Sequence, residues 1–515
     1  MSCLFLCFIN NTFLFVYTIL GDSMTKRYRV LAVVLILSLL LLDVRIFYIG
    51  FTKVQNTATS QHTATESYGT DRGLIFDRNM KKLVEYASRK VTSISNHSFS
   101  LAVPMRYDDA PLCAHLIGYT DAQNNGVCGI EKDYNDFLKA IPNHINLSTF
   151  KDARGNLLIG KGTRIDRSKQ CTDSGIMLTI DRDIQLIAEE AGQTLHQGAV
   201  IVMNAATGEL LASVSYPTFN PNALEEYIAD TANQPMLNRA FTRFNVGSVF
   251  KVVVCLAALE AGVSEKTCFS CAGKIHCGGV TFSCHKKEGH GKINMTQAVA
   301  FSCNTYFIQL AQKIGYYKIY EICKRLGIEK SIPLSASLSA QAGTLPDSAD
   351  MSAAAALANL SFGQGALLSS PLWLCKLYSA ILNGGYSVEP QLLLGKMMSG
   401  DIKNLFSVQE KRVFSKQHAD ALYRMLCCAV SSGTGIAAST DKCAVAGKTA
   451  TAQTGFYTGK KEKLISYFIG LFSIKGEQFT VLVMCENGTS GSKDCAPVFK
   501  EICEGIYDLK NIISK

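Results

Sequence analysis

The sequence predicts an α+β protein that one helix anchors to a membrane. Three observations support this prediction: a long uncharged apolar run near the N-terminus, a pair of apolar runs at each end of the remaining chain, and mostly helical patterns between those pairs. Apolar runs joined by turn-rich connectors are typical of β-hairpins. We therefore expect an antiparallel sheet built from both chain ends, with helices packed against it.

The composition fits a large folded protein and excludes some functional classes. The 515 residues are 48% hydrophobic and 18% charged, which excludes disorder and suffices for two or three domains. The 51 Lys and Arg against 42 Asp and Glu give a net charge of +9, without a block of like charges. Nucleic acid is therefore not an expected partner. The 19 cysteines are too dispersed for a small disulfide scaffold, and their number is odd.

The N-terminal apolar segment predicts a membrane helix over Val30–Phe51. Its only charges are Asp43 and Arg45, and at about 1.5 Å per residue it can cross a hydrocarbon layer of about 30 Å. Three basic residues between positions 26 and 29 precede it, so the positive-inside rule places the chain after residue 51 outside the cytoplasm. A cleaved signal peptide is the alternative, but no small-residue cleavage site follows. The uncharged stretch Cys3–Leu20 is either a second membrane segment or absent from the mature protein.

The chain after this helix contains a linker, a mixed region and a longer region bounded by hairpins. The Thr- and Ser-rich stretch 55–70 predicts a juxtamembrane linker. The mixed region runs to about residue 195 and ends in a helical pattern over Asp181–Leu195. Apolar residues at helical spacing between 498 and 506 predict a closing helix. The two predicted hairpins pair the following runs: Ala199–Met203 with Leu210–Val214, and Tyr467–Ile474 with Phe479–Cys485.

The most informative stretch is a predicted helix over Gly247–Leu259, in which Lys251 is the only polar residue after Ser248. A helix that is apolar all round is buried, and an unpaired buried ammonium is costly. Lys251 therefore needs a partner or a lowered pKa. Ser248 lies three residues earlier on the same face, where a neutral lysine can take its proton and make it a nucleophile. The alternative is that Ser248 only caps the helix and Lys251 reaches the surface.

Two further stretches support the catalytic interpretation. Ser302-Cys303-Asn304 and then Lys448-Thr449-Ala450-Thr451 follow the first motif in the chain. This order resembles that of penicillin-binding proteins and serine β-lactamases, whose Ser-x-x-Lys, Ser-x-Asn and Lys-Thr-Gly motifs line one cleft. In this sequence Ala450 replaces the glycine of the third motif, and Val246 replaces the proline that usually precedes Gly-Ser.

The resemblance to class B penicillin-binding proteins covers nearly the whole chain after the membrane helix. Arg72–Asn79 is similar to the sequence that opens the pedestal domain of that class. Other similar segments are His115–Gly118, Gly126–Glu131, Leu178–Asp181, Asn238-Arg239, Gly363–Gly365, Asn383–Gly385 and Gly433–Gly435. The resemblance implies a cytoplasmic tail and membrane anchor over 1–51, a mixed pedestal domain of the dimerisation type over 52–195, and a penicillin-binding, serine β-lactamase-like transpeptidase domain over 196–515.

The resemblance implies a peptidoglycan D,D-transpeptidase that β-lactams also acylate. Ser248 would attack the penultimate D-Ala carbonyl of a stem peptide and form an acyl-enzyme, while Lys251 takes the serine proton. Ser302 would relay a proton to the leaving amine, and Asn304 would hydrogen-bond the stem-peptide amide. The backbone N–H groups of Ser248 and Thr451 would form the oxyanion hole.

The third motif implies substrate binding. Lys448 and Thr449 would receive the substrate carboxylate, with Thr451 also lining the substrate, and Lys448 would help to keep Lys251 neutral. No metal or diffusible cofactor is required for this chemistry. The extra methyl group of Ala450 predicts slower acylation or altered β-lactam affinity.

The resemblance also implies a setting and a partner. The protein would be a monofunctional, single-pass enzyme of the cell membrane with its catalytic domain outside the cytoplasm. A membrane glycan polymerase of the shape, elongation, division and sporulation type is the implied partner, and the growth stage and the acceptor amine stay open. The alternative function is a catalytically weak cell-wall scaffold or a β-lactam sensor, which only Ala450 favours.

A group of cysteines lies between the first two motifs. Its members and the histidines that follow are Cys268, Cys271, Cys277, Cys284, His285 and His290. Four thiolates could hold zinc tetrahedrally, but only the first pair has finger-like spacing. Disulfides and free thiols are the alternatives. We expect His290, between two glycines, to have a structural role.

Overall fold

The computed structural model describes residues 26–51, 63–69, 72–85, 88–94, 97–108, 110–141, 144–150, 164–166, 173–347 and 353–512. The strands are β1 (Thr63–Gly69), β2 (Leu74–Phe76), β3 (Ser88–Ile94), β4 (His97–Pro104), β5 (His144–Phe150), β6 (Arg164–Asp166), β7 (Gly175–Leu178), β8 (Gly198–Asn204), β9 (Leu210–Tyr216), β10 (Phe244–Asn245), β11 (Phe269–Cys271), β12 (Lys274–Cys277), β13 (Val280–Ser283), β14 (Gly291–Ile293), β15 (Ile332–Pro333), β16 (Ser339–Ala340), β17 (Leu368–Ser369), β18 (Tyr386–Val388), β19 (Leu393–Met398), β20 (Asp401–Asn404), β21 (Glu410–Arg412), β22 (Val445–Thr458), β23 (Lys461–Ile474) and β24 (Glu477–Glu486). The helices are α1 (Lys26–Phe51), α2 (Ala114–Ile117), α3 (Gly129–Asp133), α4 (Asn135–Lys139), α5 (Arg182–Gly192), α6 (Leu224–Ala229), α7 (Lys251–Glu260), α8 (Met295–Ala300), α9 (Asn304–Ile314), α10 (Tyr316–Leu326), α11 (Ala354–Ser361), α12 (Pro371–Leu382), α13 (Lys416–Ser431) and α14 (Ala496–Ile512).

The chain forms two compact units, and the smaller one contains α1 and a sheet of order β1-β5-β6. Within the described residues, α1 is the one helix long and apolar enough to cross a membrane. Its apolar side chains are exposed, as contact with lipid requires, and Leu41 is 69% exposed. Strand β1 occupies part of the predicted linker 55–70, because Thr-rich segments also favour extended backbone. The stretch Cys3–Leu20, a candidate second membrane segment, lies outside the described residues.

The larger unit is built around a five-stranded antiparallel sheet of order β22-β23-β24-β8-β9. The pairs β8–β9 and β23–β24 are the two predicted hairpins, and α14 is the predicted closing helix. The prediction of an antiparallel sheet from both chain ends, flanked by helices, is therefore confirmed. Strand β22 forms one edge of this sheet and carries the third motif.

The two faces of the sheet pack against different helices, because side chains alternate along each strand. Phe468 packs on Phe499 of α14, with ring centroids 4.8 Å apart. Its neighbour Ile469 points the other way, into the apolar core that also contains α7 and α12. Lys448 is the cross-strand partner of Ile469, so its side chain also leaves the sheet toward those helices.

A buried charge network organises the region that resembles a pedestal. Arg72 is fully buried and donates from Nε to Glu131 Oε2 at 2.5 Å and from Nη2 to the Glu131 carbonyl at 2.6 Å. Arg106 donates from Nε to Glu131 Oε1 at 2.7 Å and from Nη1 to the Gly73 carbonyl at 2.7 Å. The segments Arg72–Asn79 and Gly126–Glu131, both similar to the pedestal sequence, therefore meet at the Glu131 carboxylate. The sheet β2-β7-β19-β20 contains two strands from before residue 195 and two from after it. The domain boundary expected at residue 195 therefore stays a prediction.

Candidate active site

Ser248 lies in a 3₁₀ turn, Gly247–Phe250, directly before α7. Gly247 has a φ of +67°, which favours glycine, and its N–H donates to the Gly363 carbonyl at 2.8 Å. On the other side of the turn the Tyr467 hydroxyl donates to the Asn245 carbonyl at 2.9 Å. These bonds hold the backbone that presents the half-buried Ser248 hydroxyl. The predicted helix over 247–259 thus begins as a 3₁₀ turn.

Lys251 is the first residue of α7 and is fully buried. Its Nζ donates to the Ser302 carbonyl at 2.8 Å, to Ser302 Oγ at 3.2 Å and to Asn304 Oδ1 at 2.8 Å. The Phe307 ring lies on another side, with its centroid 5.3 Å from Nζ. The alternative in which Lys251 reaches the surface is wrong, and the first two motifs meet at this amine.

The Ser-x-Asn motif forms a sharp turn between two helices. Helix α8 ends at Ala300, and α9 begins at Asn304. Ser302, between them, has a φ of +52°, a conformation that non-glycine residues rarely adopt. This turn directs both the Ser302 carbonyl and the Asn304 side chain toward Lys251.

The third motif brings a second buried lysine and a pair of threonines. Lys448 is fully buried, and its Nζ donates to the Thr449 carbonyl at 3.0 Å. The Thr449 and Thr434 hydroxyl oxygens lie 2.7 Å apart. Thr434 was not among the predicted site residues, although its Gly-Thr-Gly segment was recognised as similar to the family. A Cβ on Gly433 would lie 2.2 Å from the Ala300 carbonyl oxygen, so the glycine lets this loop reach the site.

Burial sets the charge of the two lysines. It lowers the pKa of Lys251 to about 7, while the thiols of Cys303, Cys284 and Cys255 raise it by smaller amounts. Burial, followed by the charge of Lys251, lowers the pKa of Lys448 well below its ordinary value. The two amines therefore do not carry two full positive charges at neutral pH.

Strand β22 runs alongside the turn that carries Ser248. A Cβ added to Gly247 would lie 3.1 Å from the Cβ of Ala452, which places the neighbouring Thr451 at this turn. Ala450 is only 3% exposed and is paired with Tyr467 across the sheet. Its methyl group therefore fills the core behind the strand.

The cysteine group is assembled differently from the predicted set. Within the described residues every cysteine is a free thiol. Cys268 is exposed, and the Cys277 Sγ atom lies 3.0 Å from the Gln312 side-chain amide nitrogen. Neither thiol is near those of Cys271 and Cys284. The structure instead brings together Cys271, Cys284, His290 and Cys303. The four cysteines considered as one alternative for zinc do not come together, because Cys277 lies at the end of β12 in the β12–β13 hairpin, away from Cys271 and Cys284.

The buried lysine, the strained Ser-x-Asn turn and the lysine on the sheet edge define the class of penicillin-recognising serine proteins. The family model described as "Penicillin binding protein transpeptidase domain" matches residues 198–504. The chain belongs to this family, as the motif order predicts.

Relatives and a solved structure support the same assignment. Peptidoglycan D,D-transpeptidase MrdA of Acinetobacter baumannii is 27% identical over 435 residues, which are 75% of this chain and 63% of the relative. Peptidoglycan D,D-transpeptidase FtsI of Buchnera aphidicola subsp. Baizongia pistaciae is 27% identical over 83% of this chain and 75% of its own. This chain thus spans less than two thirds of the first relative. The D,D-transpeptidase domain of a peptidoglycan glycosyltransferase from Eggerthella lenta superposes with a TM-score of 0.68 at 25% identity, over 86% of this chain and 99% of that one.

Proposed function

We propose that the protein is a peptidoglycan D,D-transpeptidase that cross-links stem peptides and that β-lactams acylate. The observation that carries this proposal is Lys251, a fully buried amine one turn after Ser248 that is hydrogen-bonded to Ser302 and Asn304. A lysine with a pKa of about 7 can accept a proton at neutral pH. The names of the two relatives and the family match support the reaction type.

Acylation begins when the Ser248 hydroxyl gives its proton to the neutral Nζ of Lys251. A bond then forms between Ser248 Oγ and the penultimate D-Ala carbonyl carbon, and the backbone N–H groups of Ser248 and Thr451 stabilise the oxyanion. The C–N bond to the terminal D-Ala breaks, and Ser302 relays the proton from Lys251 to the leaving amine. The products are an ester on Ser248 and free D-Ala.

The second half of the reaction uses the same groups in reverse. An amine of a neighbouring stem peptide gives a proton to Lys251 and attacks the ester carbonyl carbon. The new amide bond is the cross-link, and the Ser248 oxygen leaves and takes the proton back. Lys448 and Thr449 bind the donor carboxylate, Thr451 also lines the donor, and Asn304 binds its stem-peptide amide.

The setting we propose is a single-pass protein of the cell membrane. Helix α1 crosses the bilayer, and the basic residues Lys26, Arg27 and Arg29 keep its start in the cytoplasm, so the catalytic domain lies outside. Residues 52–195 act as the pedestal. The partner is a membrane glycan polymerase, contacted through α1 and the pedestal, and co-purification from detergent-solubilised membranes tests this contact.

The enzymatic proposal is tested by intact-mass measurement of the full chain after incubation with penicillin. One covalent penicillin per chain is expected, and Ser248→Ala should abolish the adduct. Ser431→Ala removes an exposed serine of α13 and serves as the matched control, which should be acylated like the original protein. An adduct on Ser248→Ala would contradict the assigned nucleophile. A folded protein without any adduct would favour the scaffold alternative.

A further inference from the structure

Two thiols meet on the side of the main sheet that faces α14. Cys443 lies two residues before β22 and is half-buried, and Cys503 lies on α14 and is fully buried. Their Sγ atoms are 3.4 Å apart. The two sulfurs of a disulfide are about 2.05 Å apart, so a shift of about 1.4 Å would join these thiols. The pair therefore lies within reach of a covalent bond.

The segment before β22 is held against α14 by polar contacts next to the thiols. Thr440 Oγ1 donates to Glu504 Oε1 at 2.8 Å. Lys442 Nζ donates to Asp508 Oδ1 at 2.8 Å and to Asp508 Oδ2 at 2.7 Å. On the other side of Cys443, β22 begins and pairs with β23. Because both ends of this short segment are held, the Cys443 side chain stays against α14.

The two thiols differ in exposure and in acidity. Cys443 is half-buried and can be reached from solution, whereas Cys503 belongs to the apolar core around α14. The hydrogen bond from Cys503 lowers the pKa of the Cys443 thiol, while burial and the charge of Glu504 oppose this change by smaller amounts. The same hydrogen bond, followed by burial, raises the pKa of the Cys503 thiol. An accessible thiol of lowered pKa beside a second, resolving thiol is typical of cysteines that react with oxidants.

We propose that Cys443 and Cys503 are a redox-active pair, which a disulfide compound oxidises to an intramolecular disulfide. Cys443 is the thiol that attacks the oxidant, and Cys503 is the resolving thiol. Disulfides persist outside the cytoplasm, which is where we place this part of the chain. The bond itself depends on the contact between the two thiols and is independent of the proposed function.

The reaction is a thiol–disulfide exchange in two steps. In the first step, Cys443 Sγ loses its proton and attacks one sulfur of the oxidant R–S–S–R, whose S–S bond breaks and releases one R–SH. In the second step, Cys503 Sγ loses its proton and attacks Cys443 Sγ, which breaks the mixed disulfide and releases the second R–SH. Two cysteines are thereby oxidised, the oxidant is reduced to two thiols, and these thiols carry the two protons.

The bond would close a ring around the segment that carries the third motif. Cys443 and Cys503 are 60 positions apart, and β22, β23 and β24 lie between them, as does Lys448. A ring of this length restricts the unfolded chain, so the disulfide should lower the equilibrium constant for unfolding by about a thousandfold. Oxidation should therefore stabilise the segment that contains Lys448 without changing any group of the candidate site.

The bond is tested on the full chain, purified in detergent under reducing conditions and then transferred to oxidised glutathione. The protein is unfolded in alkylating reagent and digested, and mass spectrometry identifies peptides joined by a disulfide. We expect a linked pair that contains Cys443 and Cys503, absent from Cys443→Ser and retained in Cys428→Ser, which changes another half-buried cysteine. Alkylation of both thiols at every glutathione concentration would overturn the proposal. So would a linked pair that joins Cys443 to a different cysteine.

The order of the two steps is tested by removing one thiol at a time. Cys503→Ala leaves the attacking thiol without its resolving partner and should accumulate a mixed disulfide between glutathione and Cys443. Folded Cys443→Ser should leave Cys503 unmodified, because this thiol is buried. Glutathione on Cys503 of folded Cys443→Ser would overturn the assigned order, and this arm stands even where Cys503→Ala does not fold.

The stabilising role is tested by thermal unfolding of the reduced and the oxidised full chain, followed by circular dichroism. We expect the midpoint to rise by about 5 °C or more on oxidation, and to show no such rise in Cys443→Ser. Equal midpoints for the reduced and the linked protein would overturn the stabilising role. A protein that forms this bond but is not acylated by penicillin would contradict the proposed function alone and leave the thiol pair standing.

Discussion

The rate of Ser248 acylation should depend on the protonation state of Lys251, because only the neutral amine can accept the serine proton. Burial lowers the pKa of this amine from 10.5 to about 7. At pH 7 Lys251 is then neutral in about half of the molecules. A lysine with the ordinary pKa would be neutral in only about 0.03% of them. The environment thus raises the concentration of the base by about a thousandfold, which corresponds to a change of about 5 kcal/mol between the two protonation states.

The sign of the pH dependence follows from the neutral amine being the base. The second-order rate constant for acylation by penicillin should rise about tenfold per pH unit below pH 7 and level off above it. Arginine stays protonated throughout this range, so Lys251→Arg should lower the rate by about 10²–10⁴-fold and remove the break near pH 7. Lys416→Arg changes a lysine whose side chain is 72% exposed and should keep both the rate and the profile.

The assay is stopped-flow fluorescence with a fluorescent penicillin between pH 5 and pH 10. Far-ultraviolet circular dichroism of Lys251→Arg confirms that the variant is folded. A rate that still rises tenfold per unit above pH 9 would show that Lys251 keeps its ordinary pKa. Acylation of folded Lys251→Arg at the original rate would remove this amine from the mechanism altogether.

Three further predictions concern other parts of the molecule. Glu131→Gln leaves two buried arginines without their shared carboxylate and should destabilise the fold by about 3–5 kcal/mol in denaturant unfolding; unfolding indistinguishable from that of exposed Glu410→Gln would contradict this. Ala450→Gly should cost about 1 kcal/mol of stability through the lost buried methyl and leave acylation by fluorescent penicillin unchanged, because this methyl lies in the core; faster acylation would show that the methyl hinders the substrate after all. Thr434→Val removes the hydroxyl that touches Thr449 and should weaken β-lactams that carry the carboxylate more than their methyl esters; equal effects on both would place Thr434 outside carboxylate binding.

Local patterns in the sequence were sufficient to predict the main antiparallel sheet and the order of its two hairpins and closing helix along the chain. The two hairpins and the closing helix follow from apolar periodicity, which each segment carries by itself. The pairing of β24 with β8 joins segments about 280 residues apart, and only the shared apolar character of both hairpins indicated it. The strand β1 was missed, because a Thr-rich segment without a strong apolar alternation reads equally well as a linker.

The sequence was sufficient to predict which side chains form the candidate site, but it predicted only some of the contacts between them. An apolar helix with one lysine implies a buried amine, and this holds for Lys251. The periodicity of apolar residues contains no information on the left-handed backbone of Ser302 or on the contact between the Thr434 and Thr449 hydroxyls. It also does not indicate the hydrogen bond from the Tyr467 hydroxyl to the Asn245 carbonyl, close to Ser248. These contacts arise from long-range packing, and none of the predictions from the sequence included them.

If Lys448 binds the substrate carboxylate as we propose, the two buried lysines explain how one site can bind a carboxylate and still contain a neutral base. Each amine alone would lose charge because of burial, and the charge of Lys251 lowers the pKa of Lys448 further. A substrate carboxylate at Lys448 offsets that repulsion and favours the protonated form of this lysine. The added positive charge then disfavours protonation of Lys251. In the proposed mechanism, donor binding would therefore keep the proton on Lys448 and leave Lys251, beside Ser248, neutral, so that the substrate itself helps to prepare the base.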